Sequence, residues 1–330
     1  MTRRVSLRWA LGLLLGALGL YLSARAVRWP QVWAVLSRAH VIVVAAALAS
    51  SVLTSWFKAV RWRLLLFPHH QRMPFPRMLA LVFAGQLANS ILPGRLGDLV
   101  RTYLASEDLG GALVTGATVV AEKALDGIML LALAALAALA TPLPPWLKRS
   151  TLLLSGALVA ALAAAIAIVW RGGGGRVVLR RWAQRQPRWE VVKVFEQAWT
   201  SIGQLEVLHS LRAQGQLVAL SALIWVLACT SNVLVFLALG LGAQPLVSAV
   251  LLVVLMTGAI IPTVPAQLGV FHYLCVLTLN LFAFGPDTSL SYAFLLHLVV
   301  YAPIAIGGAA GLWWLSGNTV LWRPGQWRRE

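Results

Sequence analysis

The chain has little charge, few acidic residues and almost no cysteine. Of its 330 residues only 11% are charged, ten are Asp or Glu and two are Cys, while 60% are hydrophobic and the mean hydropathy is +0.81. A soluble globular protein needs a larger polar surface, and two cysteines form neither a disulfide framework nor a metal site. The composition therefore predicts a polytopic membrane protein.

The chain also lacks the common catalytic signatures. It has no nucleophile elbow, metal-ligand spacing, phosphate-binding loop or dinucleotide fingerprint, and the glycine run at 172–175 has no Lys-Ser/Thr after it. The sequence thus predicts a transporter-like protein without cofactor or metal rather than an enzyme. The 27 basic residues lie in loops and at segment ends, which favours an anionic membrane surface over a nucleic-acid partner.

Long apolar runs predict an all-α membrane fold with about six full spans and two broken, re-entrant hairpins. The breaks combine Pro and Gly inside segments too hydrophobic for soluble loops, and such irregular backbone is tolerated only where it is buried or lines a wet cavity. The predicted spans are 9–24, 41–57, 112–140, 151–170, 215–240 and 289–315, and the broken segments are 78–104 and 247–284.

Loop charge determines the predicted topology. If 78–104 re-enters, 21 basic residues lie on one face and five on the other, whereas full crossing gives ten against 16. Because basic residues favour the cytoplasmic side, we predict a re-entrant first hairpin and cytoplasmic termini. Charge does not distinguish crossing from re-entry for 247–284.

Two similar breaks predict an internal repeat. Pro93-Gly94-Arg95-Leu96-Gly97 and Pro265-Ala266-Gln267-Leu268-Gly269 lie 172 residues apart, and the same offset aligns the flanking helices. Because the two halves enter from opposite sides, the prediction is an inverted repeat, in which such breaks mark a substrate site; chance similarity is the alternative. The single domain 1–330 divides into a first half (1–170), a cytoplasmic amphipathic linker (171–214), a second half (215–315) and a cytoplasmic tail (316–330).

The first break carries a candidate anion site. Arg95, Asp98 and Arg101 lie at i, i+3 and i+6, and a helix beginning near Leu96 would add exposed amides, including that of Gly97. Arg95, Gly97 and Arg101 are therefore candidate ligands of a lipid phosphate. The alternative is that both arginines reach headgroups at the interface while Asp98 pairs locally.

Three ionisable residues occupy the long helix 112–140. Glu122 and Asp126 are four residues apart on one face, next to Lys123, and at membrane depth such groups should be paired. The arginines of the first hairpin are the expected partners. The cluster, with Asp98, could set cavity charge, release a phosphate by competing for the arginines, carry protons, or only lock the hairpin to the helix.

The second half is less charged. Pro265, Gln267, Gly269 and His272 belong to the second hairpin, and Gln267 takes the place of Arg95. His297 and Tyr301 lie four residues apart on the last helix and are candidates for proton coupling, although a lone membrane histidine is often only a structural hydrogen-bonding residue.

Three segments carry a resemblance to a known family: Asn89 through Arg101, Glu122-Lys123-Ala124-Leu125-Asp126, and Pro262 through Phe271. Over nearly its whole length the chain resembles the transmembrane region of lysylphosphatidylglycerol synthases, or flippase-like domains. By position, Arg95, Arg101, Glu122 and Asp126 match that family's recurrent charged residues. The chain departs from full-length synthases, which carry a soluble aminoacyl-transferase domain after the membrane region, so aminoacyl-lipid synthesis is not expected.

The resemblance implies a membrane domain that moves or presents lipids. Our leading hypothesis is a flippase-like translocase for a phospholipid or a polyprenyl or glycolipid intermediate; the sequence leaves the lipid and the oligomeric state open. The alternative hypothesis is a non-transporting, lipid-binding subunit that docks a glycosyltransferase or lipid-synthesis enzyme. An embedded lipid-modifying enzyme would depend on the acid cluster alone.

Overall fold

The computed structural model describes residues 2–92, 96–109, 111–141, 210–259 and 265–318, with isolated positions at 149, 153, 156 and 160. Regular structure in these ranges is helical, without strands, which confirms the all-α polytopic fold. Most of the predicted span 151–170, most of the amphipathic linker and most of the tail lie outside the described residues. Arg95 lies outside them as well.

Ten α-helices occupy the described ranges. They are α1 (Thr2–Ala24), α2 (Trp29–Ser37), α3 (Val41–Leu65), α4 (Phe75–Ile91), α5 (Gly97–Leu109), α6 (Ala112–Ala140), α7 (Leu211–Ala238), α8 (Pro245–Gly258), α9 (Val270–Leu281) and α10 (Pro286–Asn318).

Four of these helices are long and apolar enough to cross a membrane: α3, most of α6, α7 and α10. They correspond to four of the predicted spans. Helix α3 continues to Leu65, eight residues beyond the predicted end at 57, because neither Gly nor Pro interrupts it before Pro68. The added turns place three basic side chains, predicted as loop residues, inside the helix: Lys58, Arg61 and Arg63.

The arms of both predicted hairpins are shorter than a bilayer core. Helices α4 and α5 have 17 and 13 residues, and α8 and α9 have 14 and 12. At about 1.5 Å per residue they reach roughly 18 to 26 Å, against a hydrocarbon thickness of about 30 Å. These lengths favour re-entry for both hairpins, including the second, which loop charge left undecided.

Helices α3 and α7 pack side by side in opposite directions. The amide of His40 donates to the carbonyl of Ala238 (2.8 Å), and the Ser50 hydroxyl donates to the carbonyl of Leu227 (2.9 Å). Residue numbers therefore fall along α7 as they rise along α3. Since the 172-residue offset makes these helices equivalents, equivalent elements run antiparallel, as an inverted repeat requires.

Contacts among the shorter helices are related by the same offset: where two helices pack together, their equivalents in the other half also pack together. Helix α4 packs on α10, and its equivalent α8 packs on α6; α5 packs on α6, and α9 packs on α10. The 3₁₀ turn at Pro265–Gln267, at the tip of the second hairpin, contacts α4 of the first. The two broken segments thus meet inside the protein.

The described residues form two main apolar cores, one mostly from each half, with Leu315 contributing to the first and Ala47 to the second. Trp62 and Met78 lie in the first core, among residues of α3, α4 and α5. Phe236 and Tyr292, with ring centroids 4.2 Å apart, lie in the second core among residues of α7 to α10. The charged residues described next lie beside the first core.

Candidate functional site

Glu122 is the centre of a buried group of ion pairs. Its Oε2 accepts from Arg101 Nη2 at 2.6 Å, and its Oε1 accepts from Arg61 Nη2 at 3.3 Å. The three side chains are no more than 5% exposed. One carboxylate therefore joins α3, α5 and α6, and it offsets the cost of burying two guanidinium groups.

Asp126 extends the pairing along the same face of α6. Its Oδ1 accepts from Arg61 Nη1 at 2.8 Å, and the same nitrogen donates to Ser221 Oγ on α7 at 3.0 Å. The predicted i, i+4 arrangement of Glu122 and Asp126 thus places both carboxylates on one guanidinium. Through Ser221 the group also reaches the second half of the chain.

Asp98 forms the more exposed edge of the group. Its Oδ2 lies 2.9 Å from Lys123 Nζ, and its Oδ1 lies 3.8 Å from Arg101 Nη2. The Lys123 side chain is 48% exposed, so this pair is more accessible than the Glu122 pairs. As a carboxylate in the first turn of α5, Asp98 also interacts favourably with the helix dipole.

Trp62 fixes the orientation of Arg101. The guanidinium carbon lies 4.8 Å from the centroid of the indole, a cation–π geometry. The indole Nε1 donates to Thr118 Oγ1 at 3.0 Å, which holds the fully buried ring against α6. We call the set Lys58, Arg61, Asp98, Arg101, Glu122, Lys123 and Asp126 the ionic cluster; Lys58 is included because it lies one turn before Arg61 on α3.

The structure thus brings together five residues predicted for the site from sequence: Asp98, Arg101, Glu122, Lys123 and Asp126. The expected pairing of Arg101 with an acid of α6 is present for Glu122, whereas Asp126 pairs with Arg61 instead. Gly97 begins α5 in close contact with α4, where an added Cβ would collide with the Gly85 carbonyl and the Asn89 amide. Phosphate binding by Arg95, Gly97 and Arg101 stays a prediction.

The second hairpin is organised by aromatic rings and backbone contacts. His297 Nε2 lies 3.0 Å from the Ala266 carbonyl at the tip, and Gln267 Nε2 donates to the Ala259 carbonyl at 3.4 Å. The His297 ring stacks on Tyr301 at 4.4 Å and lies 4.9 Å from the buried His272. Pro265 opens the turn, in which Ala266 and Gln267 have positive φ values.

Gly269 lets helix α1 close over the second hairpin. Its φ is +90°, and an added Cβ would collide with the Gly16 carbonyl. Gly19, one turn further along α1, lies against the backbone of Gly269 and Val270 in the same way. Only glycine permits this approach of two backbones.

Sequence reasoning missed Arg61, which shares its guanidinium between two carboxylates and a serine. It counted Arg61 as a residue of the cytoplasmic loop, which is wrong, because the side chain is fully buried inside α3. The signal was present: no helix breaker separates 41–57 from Arg61. Removing Lys58, Arg61 and Arg101 from the count leaves 18 basic residues against five, so the predicted orientation is unchanged.

The helices, the paired short hairpins and the buried ionic cluster define a polytopic α-helical membrane protein with polar chemistry inside the bilayer. The family described as "Lysylphosphatidylglycerol synthase TM region" matches residues 9–308, and the chain belongs to this family. The resemblance found in the sequence is thereby confirmed. Family membership identifies a membrane protein of lipid or glycolipid handling.

A curated relative is "Glycosyltransferase AglD" of Haloferax volcanii. It is 27% identical over 357 residues, and the match covers 97% of this chain and 56% of the relative. The chain thus spans little more than half the length of that relative. That relative carries the name of an enzyme, and the expectation that this chain is transporter-like rather than an enzyme stays a prediction.

Proposed function

We propose that this protein moves, or presents, the phosphate-bearing headgroup of a lipid across the membrane through the region between its two hairpins, while the apolar tails stay in the bilayer. The observation that carries the proposal is the ionic cluster. Ionised side chains are costly in hydrocarbon and are rare there unless they serve a substrate or proton path. A single structural lock would need one pair, whereas here five ion pairs join six charged side chains of α3, α5 and α6.

The two hairpins provide the surroundings that a headgroup needs. A bare phosphate in hydrocarbon loses its hydration without replacement. Broken helices supply free backbone groups in place of water, and here the tip of the second hairpin contacts α4 of the first. A headgroup between them would stay solvated by protein.

Exchange of ion pairs would let Arg101 take part. Glu122 contacts Arg61 and Arg101 at once, through different oxygens. A phosphate could therefore take Arg101 while Glu122 keeps Arg61, so that no buried charge is left unpaired. Arg95 and the Gly97 amide are proposed as further ligands, and return of Glu122 to Arg101 would release the phosphate.

The test is headgroup movement in reconstituted vesicles. Phosphatidylglycerol with a fluorescent acyl chain is incorporated into both leaflets, and dithionite quenches the outer one; movement increases the quenched fraction beyond half. We expect Arg95→Ala and Arg101→Ala to abolish movement, and Arg28→Ala, which removes a surface arginine paired with Asp287, to leave it intact. Thermal unfolding in detergent identifies any variant that has lost its fold, and Arg101→Lys then tests charge alone. Undiminished movement by both folded alanine variants would eliminate this site.

A second candidate function is favoured by the named relative. A membrane protein similar to a glycosyltransferase could hold a lipid and present it to such an enzyme without moving it. Affinity purification from the native membrane tests this: a stoichiometric glycosyltransferase or lipid synthase, together with no movement by the isolated chain, would support presentation. Movement by the isolated chain would reject it.

The remaining assignments are part of the same proposal. We place the chain in the cytoplasmic membrane with both termini in the cytoplasm, because of the distribution of basic residues. His297 and Tyr301 are proposed for proton coupling because the ring of His297 lies at the hairpin tip, within reach of any change in its position.

A further inference from the structure

Lys58 lies on α3 between Ser55 and Arg61, two residues whose side chains contact neighbouring helices. We call these three positions the Lys58 stripe. Ser55, Lys58 and Arg61 are three residues apart along the helix, so they follow one another on neighbouring turns. Ser55 contacts α4, through its hydroxyl and Gln86 Oε1 at 3.1 Å, and Arg61 contacts α6. Lys58 is half-buried and lies seven residues, about 10 Å, before the end of α3.

The ammonium of Lys58 has charged neighbours but no ion pair among the described residues. Lys58 lies one turn before Arg61 on α3, and the two acids that bind Arg61, Glu122 and Asp126, are each already paired with an arginine at 2.6–3.3 Å. Asp98 is likewise paired with Lys123. A half-buried lysine without a carboxylate partner, next to buried ion pairs, can therefore bind an anion with its three N–H donors.

Counting charge gives the same result. The ionic cluster contains four cations, Lys58, Arg61, Arg101 and Lys123, against three carboxylates, Asp98, Glu122 and Asp126. One positive charge is in excess, and Lys58 is the member without a close partner. One bound anion of single charge would neutralise the cluster, and a phosphodiester has that charge.

We infer that Lys58 is the primary contact for the phosphodiester of a lipid headgroup, which binds beside the closed Arg61–Glu122–Arg101 pairs. This inference rests on the proposed function and makes it more specific. The ion pairs of Glu122 with Arg61 and Arg101 then stay closed when the lipid binds. Arg101 contacts the phosphate later, while the headgroup moves across the membrane. A lysine ammonium suits this role because it is a compact point charge with three donors.

Helix α4 supplies further unmatched polar atoms next to this stripe. Gln86 Nε2 and Asn89 Oδ1 are buried without a hydrogen-bond partner among the described residues. They lie at i and i+3, on one face of α4, and Gln86 is bound to Ser55, one turn from Lys58. Gln86 can donate to a phosphate oxygen, whereas Asn89 needs a donor, such as the glycerol hydroxyl of phosphatidylglycerol. The ligand class is therefore an anionic phosphodiester lipid whose headgroup also donates hydrogen bonds.

The experiment compares two positions on α3. Lys58→Gln removes the half-buried cation, and Arg63→Gln removes a cation from the exposed face one turn later. Binding of short-chain dihexanoyl phosphatidylglycerol to each detergent-solubilised protein is measured by calorimetry. We expect Lys58→Gln to weaken binding about tenfold or more, the scale of a lost charge-assisted hydrogen bond. Lys58→Arg should restore most of it, and Arg63→Gln should change it less than about twofold.

Stability without lipid separates binding from a structural role. Because Lys58 has no close carboxylate, Lys58→Gln should leave the melting temperature unchanged or raise it. A fall in melting temperature, or binding equal to that of the unmodified protein, would overturn the inference. Inorganic phosphate that binds as tightly as the lipid would reject the lipid as the ligand, and binding of uncharged dihexanoylglycerol with equal affinity would reject the phosphate contact.

The vesicle assay distinguishes this inference from the proposed function. If the unmodified protein binds the lipid through Lys58 but does not move it, translocation fails and the binding site stands. If the protein moves lipid and the Lys58→Gln variant binds and moves it equally well, the proposed function stands and the inference about Lys58 fails.

Discussion

At the 172-residue offset Glu122 corresponds to Phe294, Arg101 to Tyr273 and Arg61 to Val233. Helix contacts exchange between the halves, yet these three members of the ionic cluster have aromatic and aliphatic equivalents in the second half. Phe294 packs on His272 with ring centroids 4.9 Å apart, where Glu122 binds two arginines. The repeat therefore supplies the frame, and among the described residues the buried ion pairs belong to the first half.

The hairpins also differ in how they are covered. Helix α1 lies across the second hairpin at Gly269, whereas Leu99 and Tyr103 of α5 are 65% and 55% exposed among the described residues. The second hairpin is thus covered by an additional helix, whereas the first hairpin packs on α3, α6 and α10 and is joined by the ion pairs to α6 and, through Glu122, to α3. This contrast can be tested by substitution.

The largest effect is expected from Glu122→Gln. It leaves Arg61 and Arg101 buried with one charged partner fewer, and breaking a buried pair costs about 3–5 kcal/mol. The free energy of unfolding in detergent, followed by circular dichroism, should fall accordingly. Asp287→Asn is the matched control, because Asp287 pairs with the 74%-exposed side chain of Arg28, and it should cost less than about 1 kcal/mol. Equal losses at both positions would mean that the Glu122 pairs do not stabilise the first half.

Next in size are Gly97→Ala and Gly269→Ala, at equivalent positions of the two hairpins. Both place a methyl group against backbone, and Gly269 has a positive φ as well, so each should cost about 2 kcal/mol or more. The midpoint of thermal unfolding provides the measurement. Gly127→Ala, in open space on α6, should be neutral or slightly stabilising. A harmless Gly269→Ala would refute the close approach of α1.

The smallest effect is expected at the Asp98–Lys123 pair. A double-mutant cycle of Asp98→Asn and Lys123→Gln should give a coupling energy below about 1 kcal/mol, because the Lys123 side chain is 48% exposed. High salt should reduce it further. A coupling as large as the Glu122 effect would show that the cluster has no exposed edge.

Much of this architecture follows from the sequence, because its signals are local. Apolar runs and loop charge predicted the long helices, and the spacing of Glu122 and Asp126 predicted two carboxylates on one face. Arg61 was missed because its burial depends on α6 and α7, which contribute Asp126 and Ser221 from 65 and 160 residues away. The tight contact of Gly269 with Gly16 likewise needs two distant backbones, which no local pattern predicts.

The antiparallel pairing of α3 with α7 has an energetic consequence. In an inverted repeat, exchanging the conformations of the two halves converts a cavity facing one leaflet into a cavity facing the other. Identical halves would populate both orientations equally, but in the part of the chain that the structure describes, the buried ion pairs lie at the first hairpin alone. Under the proposed function, a bias of about 3 kcal/mol would already favour the resting orientation by more than a hundredfold. Leaving that orientation would then be the rate-limiting step of each transport cycle.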